Sequence, residues 1–443
     1  MQTTVSQNVA RMARRPSYLD PQLLATEGGA RSQLMPDTFE AASVEDRPVV
    51  AALNYFFNEA AENDYSDIHL ESDARGLVVR YRQFGVLQQK YVLDGALADD
   101  FDRMLRARAQ VRDKDDIAPR DGTFWFKATT RTIDVRLSFL KTRMGQSIVC
   151  RLLDQNNATR PFSSIPMRVD QRALFLRALY ETEGLILTVG PTGSGKTSTL
   201  YSCLTERNTQ DIKILTVEDP VEYTLSNAQQ VNVQRPLRTF PIVVRAAMRQ
   251  DIDIAMVGEI RDAETAATAT DISNTGHLVL STLHANSAAS AINRLLSGLK
   301  VDAFALAAGL RLIVAQRLVR TLCTKCRRIE RVTADEVALL KGCGYVSPDG
   351  AELADLHTSH KHDDGCEACD YRGTRGIRPI LEFAECNGEL RGVIESGADP
   401  EIIRRTVNAQ LTRRSLNHAA LDAALDDHDV DFKEALVCAR SAD

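Results

Sequence analysis

The stretch Gly190–Thr197, GPTGSGKT, has the residue types and spacing to hold a chain of phosphates. Glycines at 190, 193 and 195 permit backbone angles that a side chain would block, so successive N–H groups can converge on an anion. Lys196 can reach the outer phosphates, and the Thr197 hydroxyl offers one magnesium position. Pro191, Thr192, Ser194 and Ser198 complete the loop and its exit. The apolar run Leu185–Val189 before it reads as a strand, and the residues after it open a helix whose N-terminus adds partial positive charge. That strand–loop–helix setting is the one the pattern requires. A glycine-rich turn that binds nothing would need none of these features together.

Three further clusters carry carboxylates or histidines. In MVGEIRD, Met256–Asp262, a buried strand runs to Val257 and Glu259 emerges just past its end, placed to serve magnesium or to polarise water. A cap or a surface ion pair is the alternative for Glu259. In TVEDPVEY, Thr216–Tyr223, Glu218, Asp219 and Glu222 are packed around Pro220, and such close carboxylates repel unless a cation or shared protons intervene. Glu222 is the candidate for orienting water; a solvated acidic turn is the other reading. In TGHLVLSTLHANSA, Thr275–Ala288, His277 and His284 bracket an apolar strand, and His284 either senses the terminal phosphate or is purely structural.

Phosphoryl transfer needs more positive charge than Lys196 supplies. Arg136 and Arg151 lie on neighbouring candidate strands, IDVRLS and IVCRLLD, and guanidinium groups match phosphate oxygens bidentately. Residue types alone favour surface salt bridges. Cys323-Thr-Lys-Cys326 and Cys366-Glu-Ala-Cys369 are two Cys-x-x-Cys knuckles able to offer four thiolates to zinc, with the segment between them looped out. A redox pair is the rival. Cys343, His357, His360 and His362 in that segment read as solvated loop residues.

These groups need a scaffold. A length of 443 residues with 44% apolar and 26% charged content suits two or three globular domains. A formal net charge of -6 argues against general nucleic-acid binding. No stretch approaches the ~20 apolar residues of a membrane span, and the start lacks a signal-peptide core, so a cytoplasmic protein is expected. Residues 1–45 read as a flexible arm with a short helix near Leu23–Leu24. Residues 46–155 read as an α+β domain. It opens on an amphipathic helix through Val49, Leu53, Phe56 and Ala60, followed by strands at SDIHLE, LVVRYR and VLQQKYVL. A helix over Phe101–Val111 capped by Asp99 or Asp100, and a tight turn at Asp121-Gly122, are expected next. Then come strands at Phe124–Lys127, Thr132–Leu140 and Gln146–Leu152. Residues 156–168 read as a linker. From 169 to 320, alternating helices and apolar strands predict a parallel sheet covered on both faces, with ligands at the strands' carboxyl ends. A helical run is expected from Lys300 to Leu322, then a cysteine segment over 321–385 and a helical region over 386–443.

Taken together, the motifs resemble the secretion-superfamily ATPases, the hexameric motors of type II secretion and type IV pilus assembly. GPTGSGKT matches their Walker A, TVEDPVEY their Asp box, MVGEIRD their Walker B and TGHLVLSTLHANSA their His box. SDIHLE, VRYR and DVRLS match their N-terminal domain, and QRLVRTLC with the later Cys-x-x-Cys matches their zinc segment; the likeness runs from about Tyr65 to Glu382. It implies an α/β, RecA-like P-loop domain preceded by a smaller α+β domain, with ATP as substrate, magnesium and zinc as metals, and a homo-hexamer. It also implies that Arg136 and Arg151 are arginine fingers and that turnover acts on an inner-membrane platform protein. The zinc segment favours assembly motors over retraction motors, with a nucleic-acid translocase on the same core as the competing reading. Phe84-Gly85, Thr123 and Asp251-Ile252-Asp253 depart from the family pattern. The residues ahead of the first domain are few, so a separate N-terminal docking domain is expected to be missing or vestigial.

Overall fold

The computed structural model describes residues 47–111, 118–155, 160–347, 349–410 and 415–440. The helix expected near Leu23–Leu24 lies outside them. The chain divides into two compact units, Met1–Gln155 and Asn156–Asp443.

Among the described residues, the first unit is one antiparallel sheet with two helices on one face. Helix α1 (Arg47–Glu62) is followed by β1 (Asp67–Asp73), β2 (Gly76–Gln83) and β3 (Val86–Leu93). Helix α2 (Ala98–Arg108), β4 (Arg120–Lys127), β5 (Thr132–Thr142) and β6 (Gly145–Asp154) complete it, in sheet order β3-β2-β1-β6-β5-β4. Leu53, Phe56 and Phe57 of α1 and Phe101 and Leu105 of α2 pack on Val79, Tyr81, Phe126, Val135, Phe139 and Cys150 of the sheet. Alternation along β5 and β6 puts these apolar residues on one side and Arg136 and Arg151 on the other.

Two local expectations change here. Helix α2 starts before Phe101, so Asp99 and Asp100 fall in its first turn, where they complement the helix dipole instead of capping it. Asp121-Gly122 is not a turn but lies inside β4, paired with Ser138 and Leu137. A Cβ on Gly122 would stand 2.7 Å from both Ala109 Cβ and Val111 Cγ2, so the glycine serves close packing.

The second unit is a seven-stranded sheet in the order β15-β12-β7-β11-β10-β8-β9, parallel except for β15 against β12. In chain order it contains α3 (Val169–Leu179), β7 (Gly184–Val189), α4 (Lys196–Arg207), β8 (Ile214–Glu218), β9 (Ala228–Asn232), α5 (Phe240–Ala247), β10 (Ile254–Ile260), α6 (Ala263–Ser273) and β11 (Leu278–Leu283). There follow α7 (Ala288–Asn293), α8 (Ala303–Gly309), β12 (Leu310–Leu322), β13 (Arg328–Arg331), α9 (Ala334–Gly342), β14 (His357–His360) and β15 (Thr374–Glu385). The chain closes with α10 (Gly388–Glu395), α11 (Pro400–Gln410), α12 (Leu416–Leu425) and α13 (Phe432–Arg440). Every residue of β7, β8 and β11 is buried. Leu185, Leu187 and Val189 join one apolar cluster and Ile186 the cluster on the opposite face, as parallel strands covered on both sides must.

Residues 160–168 do not behave as a tether: Phe162 and Ile165 are buried with Phe175 and Leu204, and Arg172 donates to the Phe162 and Ile165 carbonyls. The helix expected up to Leu322 ends at Gly309, and the rest is the long strand β12. It pairs with β7 on one side and β15 on the other, so the position 320/321 falls inside a strand. Thr374–Glu385, between the cysteine knuckles and the helical tail, is a strand of the same sheet. The segment between the cysteine knuckles folds as β13, α9 and β14. His360 lies on β14, not in a solvated loop, 3.5 Å from Glu336 and with its ring against Phe432. Among the described residues no helix is long and apolar enough to cross a membrane.

Candidate functional site

The carboxyl ends of β7, β11 and β10, adjacent in the sheet, deliver three chemical groups to one place. Beyond β7 the chain turns through Gly190–Gly195 into α4. Gly195 caps that helix at φ +84°, and a Cβ there would stand 2.7 Å from the amide nitrogen of Gln316. Gln316, on β12 and 2% exposed, donates to the Ser194 carbonyl at 2.7 Å and accepts from the Thr199 hydroxyl at 2.8 Å. The loop is therefore clamped from beneath by a strand that does not precede it. Lys196 Nζ donates to the carbonyls of Gly190 (3.0 Å) and Pro191 (2.8 Å). Burial lowers its pKa below the usual lysine value, aided by Arg317 and opposed by Glu259. Thr197, half-buried, follows in the first turn. Pro191, Thr192 and Gly193 face solvent, whereas the Ser194 hydroxyl is buried without a partner.

Glu259 lies within β10 rather than past it. The pairing of β10 with β11 slips between Val257 and Ile260, an irregularity that turns the half-buried carboxylate toward the loop. Glu259 pairs with Arg261 and stands 3.6 Å from His284 Nε2. Burial lowers the His284 pKa, the charge on Lys196 lowers it further, and Glu259 opposes both. Its carbonyl accepts from Arg294 at 2.8 Å. His284, Gly190, Pro191, Asn286 and Arg294 line a cleft of about 420 Å³. His277 sits ahead of β11, at the amino ends of the strands, where its carbonyl accepts from Gly184 N.

The acidic segment does not gather its three carboxylates around one point. Glu218, 3% exposed, turns into the core, where its oxygens accept from Tyr201 (2.7 Å) and Thr216 (2.6 Å). Burial nevertheless raises its pKa. Asp219 is exposed, and Glu222 is half-buried on the connection from β8 to β9. That connection leaves the sheet beside β10, at the edge that carries Glu259.

In the first unit, Arg136 and Arg151 are direct cross-strand partners on the face away from the helices. Arg151 donates to Asp67 at 3.2 Å, and Arg136 stands 4.0 Å from Asp134. Like charges placed directly opposite on a sheet are unfavourable, so this pair favours an anion.

The four cysteine sulfurs lie within 4.8 Å of one another, with Cys323–Cys366, Cys326–Cys369 and Cys366–Cys369 each at 3.8 Å. Four sulfurs bound tetrahedrally at about 2.3 Å from zinc stand about 3.8 Å apart, so the cluster fits that ion. Cys369 accepts from the amides of Cys366 and Gly373. Against the upward push of burial, these bonds bring its pKa down to about 6.

The family model described as "Type II/IV secretion system protein" matches residues 42–435. The chain belongs to that family. It is 38% identical over 368 residues to the type II secretion system protein E of Aeromonas hydrophila, covering 82% of this chain and 70% of that one. It is 36% identical over 392 residues to the type II secretion system ATPase E of Vibrio cholerae, covering 86% and 73%. Its fold matches the ATPase DotB of Legionella pneumophila with a TM-score of 0.63 at 18% identity, over 87% of this chain and 94% of that one. This secretion-family chain is thus a secretion-system ATPase of α/β fold.

Sequence reasoning passed over Gln316 and the inward turn of Glu218. The only local sign of Gln316 is a polar residue interrupting the apolar run LRLIVAQRLV. The sign of Glu218 is its even spacing from Thr216 on a strand whose other positions are apolar.

Proposed function

We propose that this protein hydrolyses ATP to ADP and phosphate as a magnesium-dependent, cytoplasmic homo-hexamer. Its turnover drives pilus or pseudopilus assembly through an inner-membrane platform protein. The observation that carries the chemistry is the meeting of Lys196, Glu259 and His284 at the ends of three adjacent strands. The loop amides of Gly190–Gly195 and the Lys196 ammonium hold the β and γ phosphates, with Thr192, Ser194 and Ser198 around them. On binding, phosphate oxygens replace the Gly190 and Pro191 carbonyls on Lys196 Nζ. Thr197 and Glu259 offer the hard oxygen donors that magnesium takes, and the ion screens phosphate charge. Glu222 orients the attacking water, and His284 reports the phosphate state to the chain beyond β11. Arg136 and Arg151 supply further positive charge. Zinc at Cys323, Cys326, Cys366 and Cys369 is structural, since four protein ligands leave no open position.

The test is phosphate release by the purified full chain. Wild type should turn over ATP with magnesium and stop when the ion is chelated, and Lys196→Ala should lose at least 100-fold while keeping its melting curve, on the scale of a lost charge stabiliser. Equal release by wild type and Lys196→Ala would sink the reading.

A further inference from the structure

Glu382 is a carboxylate 3% exposed on β15, directly opposite Ala315 in the ladder with β12. Its Oε1 accepts from the Ala288 amide at 2.9 Å and its Oε2 from the Leu416 amide at 3.1 Å. These are the first amides of α7 and of α12, and neither has an acceptor within its own helix. One side chain thus joins the helix that follows the His284 loop to a helix of the C-terminal region.

We infer that Glu382 is a positioning residue for ATP turnover: its carboxylate fixes the His284 loop and binds it to the C-terminal helices. The inference rests on the ATPase reading above. Helix capping for its own sake does not account for Glu382. Helix α7 already has Ser287 accepting from Ser290 N, and α12 has Ser415 accepting from His418 N. Burying a carboxylate is costly; two backbone amides at helix N-termini offset part of it, and the nearby Arg317 guanidinium adds favourable charge. The loop it fixes is held at two further points. Arg294 donates to the His284 carbonyl, and Arg317, itself buried, donates to the Asn286 carbonyl at 2.8 Å. Only Ala285, Asn286 and Ser287 separate His284 from the amide that Glu382 holds. A change in tilt of α12 therefore moves the anchor of α7, and with it the imidazole that faces Glu259 and Lys196.

Glu382→Gln separates positioning from packing. The amide keeps the shape but has one acceptor oxygen, so its NH2 faces one of the two helix amides, donor against donor. Steady-state phosphate release and hydrogen exchange are compared for wild type, Glu382→Gln and Glu382→Asp, the last keeping the charge but drawing it back from both amides. The expected result for Glu382→Gln is a kcat lowered tenfold or more, a KM for ATP within twofold of wild type, and faster exchange at residues 284–294. Glu382→Asp should fall between. A Glu382→Gln protein with a lower melting temperature but unchanged kcat and unchanged exchange at 284–294 overturns the inference. Where Glu382→Gln does not fold, the same comparison on Glu382→Asp decides it, unchanged kcat again being the refuting result. A wild type that releases no phosphate counts against the ATPase reading instead, and exchange at 284–294 in the variants then decides the tie by itself.

Discussion

Replacing Gln316 by leucine should unfasten the phosphate loop from the sheet. The substitution removes two hydrogen bonds, to Ser194 O at 2.7 Å and from Thr199 Oγ1 at 2.8 Å, while roughly keeping volume. Ser194 and Thr199 are themselves buried, so a carbonyl and a hydroxyl are left without partners. Each stranded group costs about 1–3 kcal/mol, and apolar burial of the leucine returns part of that, leaving a loss of about 2–4 kcal/mol. Against a typical total of roughly 5–15 kcal/mol this is large. In a unit of this size it should lower Tm by about 3–7 °C. Thermal and urea unfolding of Gln316→Leu, Thr199→Val and the double variant form a cycle. The two changes share one hydrogen bond, so the double variant should be milder than the sum by about 1–2 kcal/mol. The Tm gain on adding saturating ADP should also shrink, because the loop must be re-ordered on binding. A single-variant loss under about 0.5 kcal/mol, with strict additivity in the cycle, would refute the clamp.

Tyr201→Phe removes the hydroxyl donor to Glu218 and should cost about 1.5–3 kcal/mol near neutral pH. Burial already raises the Glu218 pKa, and losing a donor to its charged form raises it more, so stability is full below the unfolded value and lost as pH rises through the folded one. The Tm deficit should therefore grow between pH 5 and pH 8, and equal deficits at both would contradict it. Asp426 is pushed up to about 6 by burial and by the carboxylates of Asp422, Asp427 and Asp349. Its charge thus opposes folding above that pH, so Asp426→Asn should raise Tm at pH 7.5 and leave it unchanged at pH 4. Elemental analysis of chelator-free protein should find one zinc per chain, lost in Cys366→Ser together with protease resistance of residues 321–373. Metal-free protein that keeps that resistance would speak against a structural ion.

The strand–loop–helix around Gly190–Thr197 was legible because its glycines, lysine and hydroxyl fall within one short stretch and depend only on the strand before and the helix after. The strands of the first unit were legible for a similar reason: alternation such as that in Thr132–Leu140 is written residue by residue. Leu310–Leu322 was not. Apolar residues occupy both of its faces, so neither a helical nor a strand period stands out. What makes it a strand is its pairing with Gly184–Val189 and Thr374–Glu385, far away in sequence. Asp121-Gly122 shows the same limit in miniature, since a packing glycine and a turn glycine look alike until Ala109 and Val111 are seen against it. At the candidate site the residue types of the acidic segment were plain, but their directions were not. Strand alternation sends Glu218 inward beside Thr216, toward a tyrosine on α4. The charge of the segment is therefore smaller at the surface than its sequence suggests.

Strand β12 begins at Leu310, passes Gln316 beneath the Gly190–Gly195 loop, and hands the chain at Leu322 to the first cysteine of the four-cysteine cluster. At roughly 3.3 Å per residue, the step from Gln316 to Cys323 is a stiff span of about 23 Å. The pairing of β12 with β7 ends at Ala315, so β15 braces that span, from Gln316 to Leu322, and a local bend would break those ladder bonds. A push at the cysteine end should thus arrive at the loop as displacement rather than be absorbed on the way. An ion held by the four cysteines would set the far end of a lever whose near end reaches the Gly190–Gly195 loop.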